Sequence, residues 1–257
     1  MSRLHLAFHC GGLSLGGTLD NAPGTTGLLI VTGGQEPRAG AFGWQARLAA
    51  EVAKAGFPVF RFDRRGIGDS EGEDRGYEKS RKDITSALQA FRALSPQVNR
   101  VVGFGNCDGA SALMLAEGAG FDGLVLSNPW AIADSSQTLP PAATVRSRYL
   151  AKLGKPKEIW RLLSGKVDLE KLASGIRHAS GSGPTTNPPI APLREGLSQF
   201  EGKVRFLVAE NDRTAQVFAA DWGLDERIAI CSSAGHAYAE SHAREWLRTQ
   251  VLAALRS

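Results

Sequence analysis

Short apolar runs alternate with helix-period segments along most of this sequence, and that alternation limits the fold more than any other feature. Between the runs, apolar residues recur every three or four positions, which is typical of helices that pack one face against a sheet. Strands that alternate with helices form a mostly parallel sheet covered on both faces, so the predicted fold class is α/β. The predicted strands lie at residues 28–31, 59–62, 101–104, 124–126, 206–209 and 228–230.

The beginning of the chain predicts an antiparallel hairpin. Apolar residues at every second position from Leu4 to Cys10 have the period of a half-buried strand. Gly11 and Gly12 then turn the chain into a second short strand at residues 13–19. We expect this hairpin at one edge of the sheet, which brings the predicted sheet to about eight strands.

The middle of the chain interrupts this pattern. More than seventy residues separate the strand that ends near residue 126 from the next one, which begins near residue 204. Three short helical patterns occupy this interval, followed by a segment rich in Gly, Ser, Thr and Pro. An insertion here would form a helical cap over the carboxyl ends of the strands, where open α/β sheets bind ligands. The predicted boundaries are 1–128 and 197–257 for the core and 129–196 for the cap.

The charge of the chain is close to balanced. It has 30 basic and 26 acidic side chains, which gives a formal net charge of +4. The most basic stretch, residues 146–157, also has helical apolar spacing, so we interpret it as a solvated helix face. The charge pattern therefore predicts no nucleic-acid partner. The partner expected from the residues described below is a small-molecule substrate.

Signals for membrane insertion, export and metal binding are missing from the sequence. No apolar run approaches the ~18 residues of a membrane span, and the first residues lack the pattern of a signal peptide. Cys10, Cys107 and Cys231 are too far apart to indicate a disulfide framework or a zinc site. We therefore expect a cytoplasmic protein with no membrane span, no metal and no cofactor.

The strongest functional signal lies at residues 105–109, which read G-N-C-D-G. A buried strand runs directly into this segment, and a helix of small residues follows it. In such a turn the central residue, here Cys107, is strained and exposed, and the flanking glycines prevent backbone clashes. A thiol at a helix N-terminus is favoured as the thiolate. The alternative is a structural cysteine in a glycine-rich turn.

A carboxylate and a histidine follow the last two predicted strands. Asp212 stands just after the first of these, where it is placed to orient an imidazole. His236 lies on a glycine-flanked loop after the second and can swing over the strand ends to Cys107. The predicted catalytic triad is therefore Cys107, His236 and Asp212, with Asp221 and Asp225 as alternative acids.

The order nucleophile, acid, histidine is that of the α/β-hydrolases. A second motif strengthens the resemblance: residues 62–70, FDRRGIGDS, resemble the D-x-R-G-x-G-x-S turn after the fourth strand of that superfamily. The resemblance covers the whole chain except the predicted cap. It implies an α/β-hydrolase fold and a structural role for the turn, which shapes the loop beside the active site.

A narrower resemblance rests on a Gly-Gly turn, on Cys107 at the nucleophile position and on the cap. In these features the chain resembles the exosortase A system-associated hydrolase 1 family. That family is named for its gene neighbourhood beside exopolysaccharide and protein-sorting systems. The resemblance implies a link to such a system.

The resemblance also implies an oxyanion hole with two N–H donors. One is the backbone N–H of Asp108, directly after the nucleophile. The other comes from the loop after the third strand, where Thr32-Gly33 stands in place of the His-Gly of many relatives. Gly34 is favoured by alignment as the second donor, and Gln35 is the alternative.

Together these residues predict a carboxylic ester or thioester hydrolase with an acyl-enzyme on Cys107. Two other functions stay open: an acyltransferase to a sugar hydroxyl, and a catalytically silent binding protein on a hydrolase fold. A redox-sensing Cys107 lacks a resolving cysteine near it in sequence. The remaining histidines, cysteines and tryptophans are interpreted as surface, strand or packing residues: His5, His9, His178, His242, Cys10, Cys231, Trp44, Trp160 and Trp222.

Overall fold

The computed structural model describes residues 2–131 and 190–257, and these residues contain one eight-stranded sheet. Its strands are β1 Arg3–Cys10, β2 Leu13–Asp20, β3 Thr26–Val31, β4 Val59–Phe62, β5 Arg100–Asn106, β6 Gly123–Ser127, β7 Lys203–Ala209 and β8 Ile228–Cys231. The order across the sheet is β1-β2-β4-β3-β5-β6-β7-β8. Pairs β1–β2 and β2–β4 are antiparallel and all others are parallel. The predicted fold class, with its mostly parallel sheet and its edge hairpin, is confirmed.

Helices cover both faces of the sheet. In the described segments they are α1 Trp44–Lys54, α2 Arg81–Leu94, α3 Asp108–Leu115, α4 Ile190–Ser198, α5 Arg213–Trp222 and α6 Ser241–Arg256, with short 3-10 turns at Ala41–Gly43 and Tyr77–Lys79. Helices α1 and α6 bury their apolar residues in one core cluster. Helices α2 to α5 bury theirs in a second cluster on the opposite face. None of these helices is long and apolar enough to cross a bilayer.

The edge strand β1 is buried only along its second half. Phe8 packs edge-on against Phe60 and Phe62 of β4, with ring centroids 5.8 and 6.1 Å apart. Leu4, in contrast, is 51% exposed and lies outside the core clusters. The alternation in the sequence therefore predicts the strand correctly but overestimates how far the core extends beneath it.

Helix α4 packs directly against α3. Leu193 and Leu197 are buried in the same cluster as the apolar residues of α3. Gly196 allows the close approach, because a Cβ there would lie 2.4 Å from the carbonyl oxygen of Met114. The predicted boundary between cap and core, at residue 196, falls inside this helix. The rest of the predicted cap, from residue 132 to 189, lies outside the described residues.

The parallel strands bring four loops to one end of the sheet, where the carboxyl ends of the strands lie. Strands β3, β5, β6, β7 and β8 are successive parallel neighbours, so their carboxyl ends lie side by side. The loops that follow β3, β5, β7 and β8 carry Gly34, Cys107, Asp212 and His236. The topology thus brings the candidate residues to the same end of the sheet, although they are far apart along the chain.

Candidate active site

Cys107 lies between the end of β5 and the start of α3 in a rarely populated backbone conformation, with φ of 59° and ψ of −130°. Residues with a Cβ seldom adopt a positive φ, and surrounding contacts must hold them there. Here the Cys107 N–H donates to the carbonyl oxygen of Ser127 at 3.0 Å. The thiol is partly exposed at the N-terminus of α3. This is the strand-to-helix turn that the G-x-C-x-G pattern predicts.

Three glycines permit this turn. A Cβ on Gly105 would lie 2.5 Å from the backbone of Gly109, and one on Gly109 would lie 2.5 Å from the carbonyl oxygen of Val31. A Cβ on Gly33 would lie 2.4 Å from the carbonyl oxygen of Asn106. Since real Cβ atoms do not approach backbone atoms so closely, each of these positions requires glycine.

Replacing Gly109 with Ala is expected to destabilise the protein by about 1–3 kcal/mol, the usual cost of forcing extra atoms into a packed site. The added methyl group would push β3 away from α3. Gly123→Ala is the matched control, because a Cβ there meets no atom closer than 3.4 Å. Urea denaturation measures both variants, and equal midpoints would contradict the close-approach argument.

Asp212 and His236 are joined by a hydrogen bond. Asp212 is the N-cap residue of α5, and its Oδ2 accepts the N–H of Ala215 at 3.0 Å. The same oxygen lies 2.9 Å from Nδ1 of His236. The carboxylate side chain is 9% exposed and the imidazole 39%. The bond that caps α5 fixes the carboxylate, and the carboxylate in turn orients the imidazole ring with a proton on Nδ1.

His236 lies beside the Cys107 turn, because its Nε2 is 3.4 Å from Nδ2 of Asn106, the residue before Cys107. Burial disfavours the charged imidazole, but hydrogen bonds to Asp212 and to Cys107 outweigh it and raise the pKa of His236 to about 10. The imidazolium is therefore the stable form at neutral pH. The structure thus brings together all three residues of the predicted triad.

The loop that carries the second predicted oxyanion donor is held by a carboxylate. Gly34, with φ of 58°, donates its N–H to Oδ1 of Asp108 at 2.5 Å. Arg64 donates to the carbonyl oxygen of Gly34 at 2.5 Å, and its guanidinium lies 3.4 Å from Oδ2 of Asp108. A role as oxyanion donor requires a free Gly34 N–H, whereas in this conformation the Asp108 carboxylate accepts that N–H. Gln35, the alternative donor, is exposed beside it.

The turn that resembles the D-x-R-G-x-G-x-S motif ties two loops together. Asp63 is fully buried and forms an ion pair with Arg38. Its carboxylate also accepts the backbone N–H of Arg38 at 2.5 Å and that of Asp69 at 3.0 Å. These bonds connect the segment after β3 with the segment after β4. The contacts agree with the structural role expected for the motif.

Three polar residues beside His236 are not among the residues predicted from the sequence. They form a buried hydrogen-bond network behind the histidine loop and are Asn106, Asn128 and Tyr238. Each has a weak signal in the sequence: Asn106 precedes Cys107, Asn128 directly follows β6, and Tyr238 follows His236 by two positions. Polar residues at the ends of apolar strands are the pattern that would have identified the two asparagines.

The other candidate residues lie elsewhere. Asp225 pairs with Arg227 and accepts the indole N–H of Trp222 at 2.9 Å, so it does not contact the histidine. His5, His9 and His242 are exposed, and Cys10 and Cys231 are buried in strands. Trp44 and Trp222 pack in the core. Trp160 and His178 lie outside the described residues.

A sequence model of the alpha/beta hydrolase family matches residues 23–249 of the chain. The chain belongs to that family. No curated protein sequence matches this alpha/beta hydrolase.

Several solved structures resemble it. The Pyrococcus furiosus esterase Pf2001 has 16% identity and a TM-score of 0.64, over 99% of this chain and 91% of the esterase. Est1E from Butyrivibrio proteoclasticus, solved with ferulic acid, has 16% identity and a TM-score of 0.61, over 98% of this chain and all 100% of Est1E. The alpha/beta hydrolase GrgF from Penicillium sp. sh18 has 15% identity and a TM-score of 0.65, over 100% and 98% of the two chains. At such identities the likeness shows the shared fold.

Proposed function

We propose that this alpha/beta hydrolase cleaves a carboxylic ester or thioester through an acyl-enzyme on Cys107. The observation that carries the proposal is the placement of a thiol, on a strained and partly exposed turn, beside a histidine that is bonded to a buried carboxylate. A thiol, an imidazole and an orienting carboxylate activate a nucleophile for acyl transfer. Membership of the family supports hydrolysis as the outcome.

In the first half of the reaction, Nε2 of His236 holds the proton of Cys107, and the thiolate sulfur attacks the substrate carbonyl carbon. The carbonyl electron pair moves to oxygen and returns as the bond to the leaving group breaks. The leaving group takes the proton from Nε2. Asp212 stays ionised throughout, keeps the ring oriented and stabilises its positive charge.

In the second half, water replaces the leaving group. Nε2 takes a proton from the water as its oxygen attacks the acyl carbon on Cys107. The second tetrahedral adduct collapses, the carbon–sulfur bond breaks, and the carboxylic acid departs. The thiolate and the imidazolium of His236 are then restored together.

The oxyanion is stabilised by backbone N–H groups. The N–H of Asp108 is one donor and the N–H of Gly34 is the other. The Gly34 N–H becomes available when the Asp108 carboxylate turns from it, and Arg64, 3.4 Å from the other carboxylate oxygen, is the partner that receives the side chain. A carboxylate left in place would repel the oxyanion, so this movement accompanies substrate binding.

Replacing Gln35 with Pro removes the alternative N–H and leaves that of Gly34 intact, so we expect kcat/KM to change by less than about threefold. Loss of a true oxyanion donor costs about 10²–10³-fold in kcat. A fall of that size would transfer the role to Gln35. Gln35→Ala, which keeps the N–H, is the control for the side chain.

The nucleophile limits the substrate class. Thiolate is a good leaving group, so the tetrahedral adduct of an amide returns to the amide rather than expelling an amine. Esters, lactones and thioesters, with better leaving groups, go forward. Resemblance to the exosortase A system-associated hydrolase 1 family adds a link to an exopolysaccharide or protein-sorting system, and we keep the cytoplasm as the location.

A substrate panel tests the proposal. It contains p-nitrophenyl esters of increasing acyl length, an alkyl thioester and an anilide of the same acyl group. We expect hydrolysis of the esters and thioester and none of the anilide. If products instead appear as sugar or polyol esters when such an acceptor is added, the protein is an acyltransferase. No turnover together with a Cys107 inert to iodoacetamide would contradict the proposal and favour a binding protein.

A further inference from the structure

A buried hydrogen-bond network lies behind His236, and its direction is fixed by the protein backbone. Asn128 and Tyr238 are fully buried, and Asn106 is 5% exposed. The side chain of Asn128 connects the backbone of β7 to Asn106 and to the carbonyl oxygen of His236. The role that we infer for this network rests on the proposed function.

The orientation of Asn128 follows from one backbone group. The N–H of Ala209 donates to Oδ1 of Asn128 at 2.8 Å. A backbone N–H is always a donor, so this contact identifies the atom as oxygen and leaves Nδ2 on the other side. That Nδ2 then donates to Oδ1 of Asn106 at 3.0 Å and to the carbonyl oxygen of His236 at 3.2 Å.

The orientation of Asn106 follows from that of Asn128. Because Oδ1 of Asn106 accepts from Asn128, its Nδ2 faces the histidine. This nitrogen lies 3.4 Å from Nε2 of His236 and 3.5 Å from the His236 carbonyl oxygen. Two amide groups thus direct N–H donors at the backbone of His236, and one of them also faces its catalytic nitrogen.

We propose that Asn128 and Asn106 are positioning residues that hold the His236 backbone and set an N–H dipole against Nε2, so that a proton there is readily released. A donor opposite Nε2 favours a lone pair on that nitrogen. The two asparagines therefore oppose the effect of Asp212, which stabilises the imidazolium. The balance gives His236 an acidity suited to protonating an alkoxide or thiolate leaving group.

Among the described residues, few titratable groups lie close enough to His236 to affect its protonation. Asp212 faces Nδ1 from the start of α5, and Cys107 faces the ring from the turn before α3. On the histidine loop itself, the Glu240 carboxylate accepts the N–H of Gly235 at 3.3 Å. Burial raises the pKa of Tyr238, which stays neutral. None of these groups changes when Asn128 is replaced.

The test is a double-variant cycle in a Cys107→Ala background, which removes the coupled thiol and any dependence on turnover. The imidazole pKa of His236 is read by NMR titration in the parent, in Asn128→Ala, in Asn106→Leu and in the double variant. With Asn128 removed, the Asn106 amide is free to rotate and present its oxygen to Nε2–H. We expect Asn128→Ala to raise the His236 pKa by at least about half a unit, and we expect no such rise when Asn106 is already Leu.

Two results would overturn the proposal: an unchanged or lowered pKa in Asn128→Ala, or a rise that persists without Asn106. Tyr238→Phe is the control, since it removes a neighbouring hydroxyl but leaves the Ala209 contact that orients Asn128. Urea denaturation verifies that each variant is folded.

An activity measurement in the Cys107 chain completes the test. Asn128→Ala is expected to slow an ethyl ester, whose leaving group needs a proton, at least about threefold more than a p-nitrophenyl ester, whose leaving group does not. Equal slowing would indicate a general structural defect and contradict the proposal. If neither ester is hydrolysed by the parent, the proposed function fails, whereas the NMR cycle still decides the role of the asparagines.

Discussion

Replacing Cys107 with Ala is expected to lower kcat/KM for the best ester of the panel by at least about 10³-fold, because removing a nucleophile leaves only the catalysis that binding and the oxyanion donors provide. The fold should persist. Alanine is smaller than cysteine and fits the same turn, although the positive φ of 59° stays strained for either residue. Fixed-time product assays measure kcat/KM, and urea denaturation of the same preparations measures the stability of the fold.

Matched cysteine variants separate the nucleophile from a general thiol effect. Cys231→Ala is the first control, because Cys231 is buried in β8 and burial raises its pKa, so it is not a reactive thiolate. We expect it to retain wild-type kcat/KM within about threefold. Cys107→Ser keeps a hydroxyl nucleophile on the same turn, and any activity it retains should form an oxygen ester on that serine. Full activity in Cys107→Ala would contradict the assignment.

Replacing Asp212 with Asn is expected to lower kcat by about 10³–10⁴-fold, as is typical when the orienting carboxylate of such a triad becomes an amide. The substitution is selective. Asn caps helices as well as Asp does, so the stability of α5 should be kept. The amide has no negative charge at the atom that bonds both the Ala215 N–H and Nδ1 of His236, so it no longer stabilises the imidazolium. Asp225→Asn, which changes a carboxylate bonded to Arg227 and Trp222, is the matched control and should leave kcat unchanged.

The same variant changes the pH dependence of stability. The pKa of His236 is raised from 6.5 to about 10 in the folded protein, so folding favours the protonated ring. This contribution to stability is complete below pH 6.5 and is lost as the pH rises through about 10. In Asp212→Asn the folded-state pKa falls, so the loss moves to lower pH. Urea midpoints measured across this range, with and without the substitution, test the sign.

The strands and the shared location of the three proposed triad residues were predictable because each depends on local pattern. The apolar runs give the strands, and Cys107, Asp212 and His236 each follow the carboxyl end of one. In a parallel sheet those ends meet, so sequence order alone brings the three side chains to one edge. Asp225, weighed as an alternative acid, lies just before the start of β8 rather than after the carboxyl end of a strand, and the structure pairs it with Arg227.

The supporting contacts were not predictable because they join segments that are distant along the chain. The Gly34 N–H meets the Asp108 carboxylate across 74 positions. Asn106 meets His236 across 130 positions. No periodicity or motif specifies which hydrogen-bond partner a polar side chain finds once loops from different strands converge. The Asp108 contact in particular shows how a side chain can occupy a donor that the motif alone would count as free.

The most direct test of the account is intact-protein mass spectrometry of the chain quenched in acid during turnover of its best p-nitrophenyl ester. If Cys107 is the nucleophile, we expect an added mass equal to the acyl group, located on Cys107 by peptide mapping and absent in Cys107→Ala. In His236→Ala the ratio of acylated protein to the rate of turnover should be higher than in the wild-type protein. Turnover without any acyl adduct in the steady state and in rapid-quench samples, or an adduct on a different residue, would contradict the claim that Cys107 is the nucleophile.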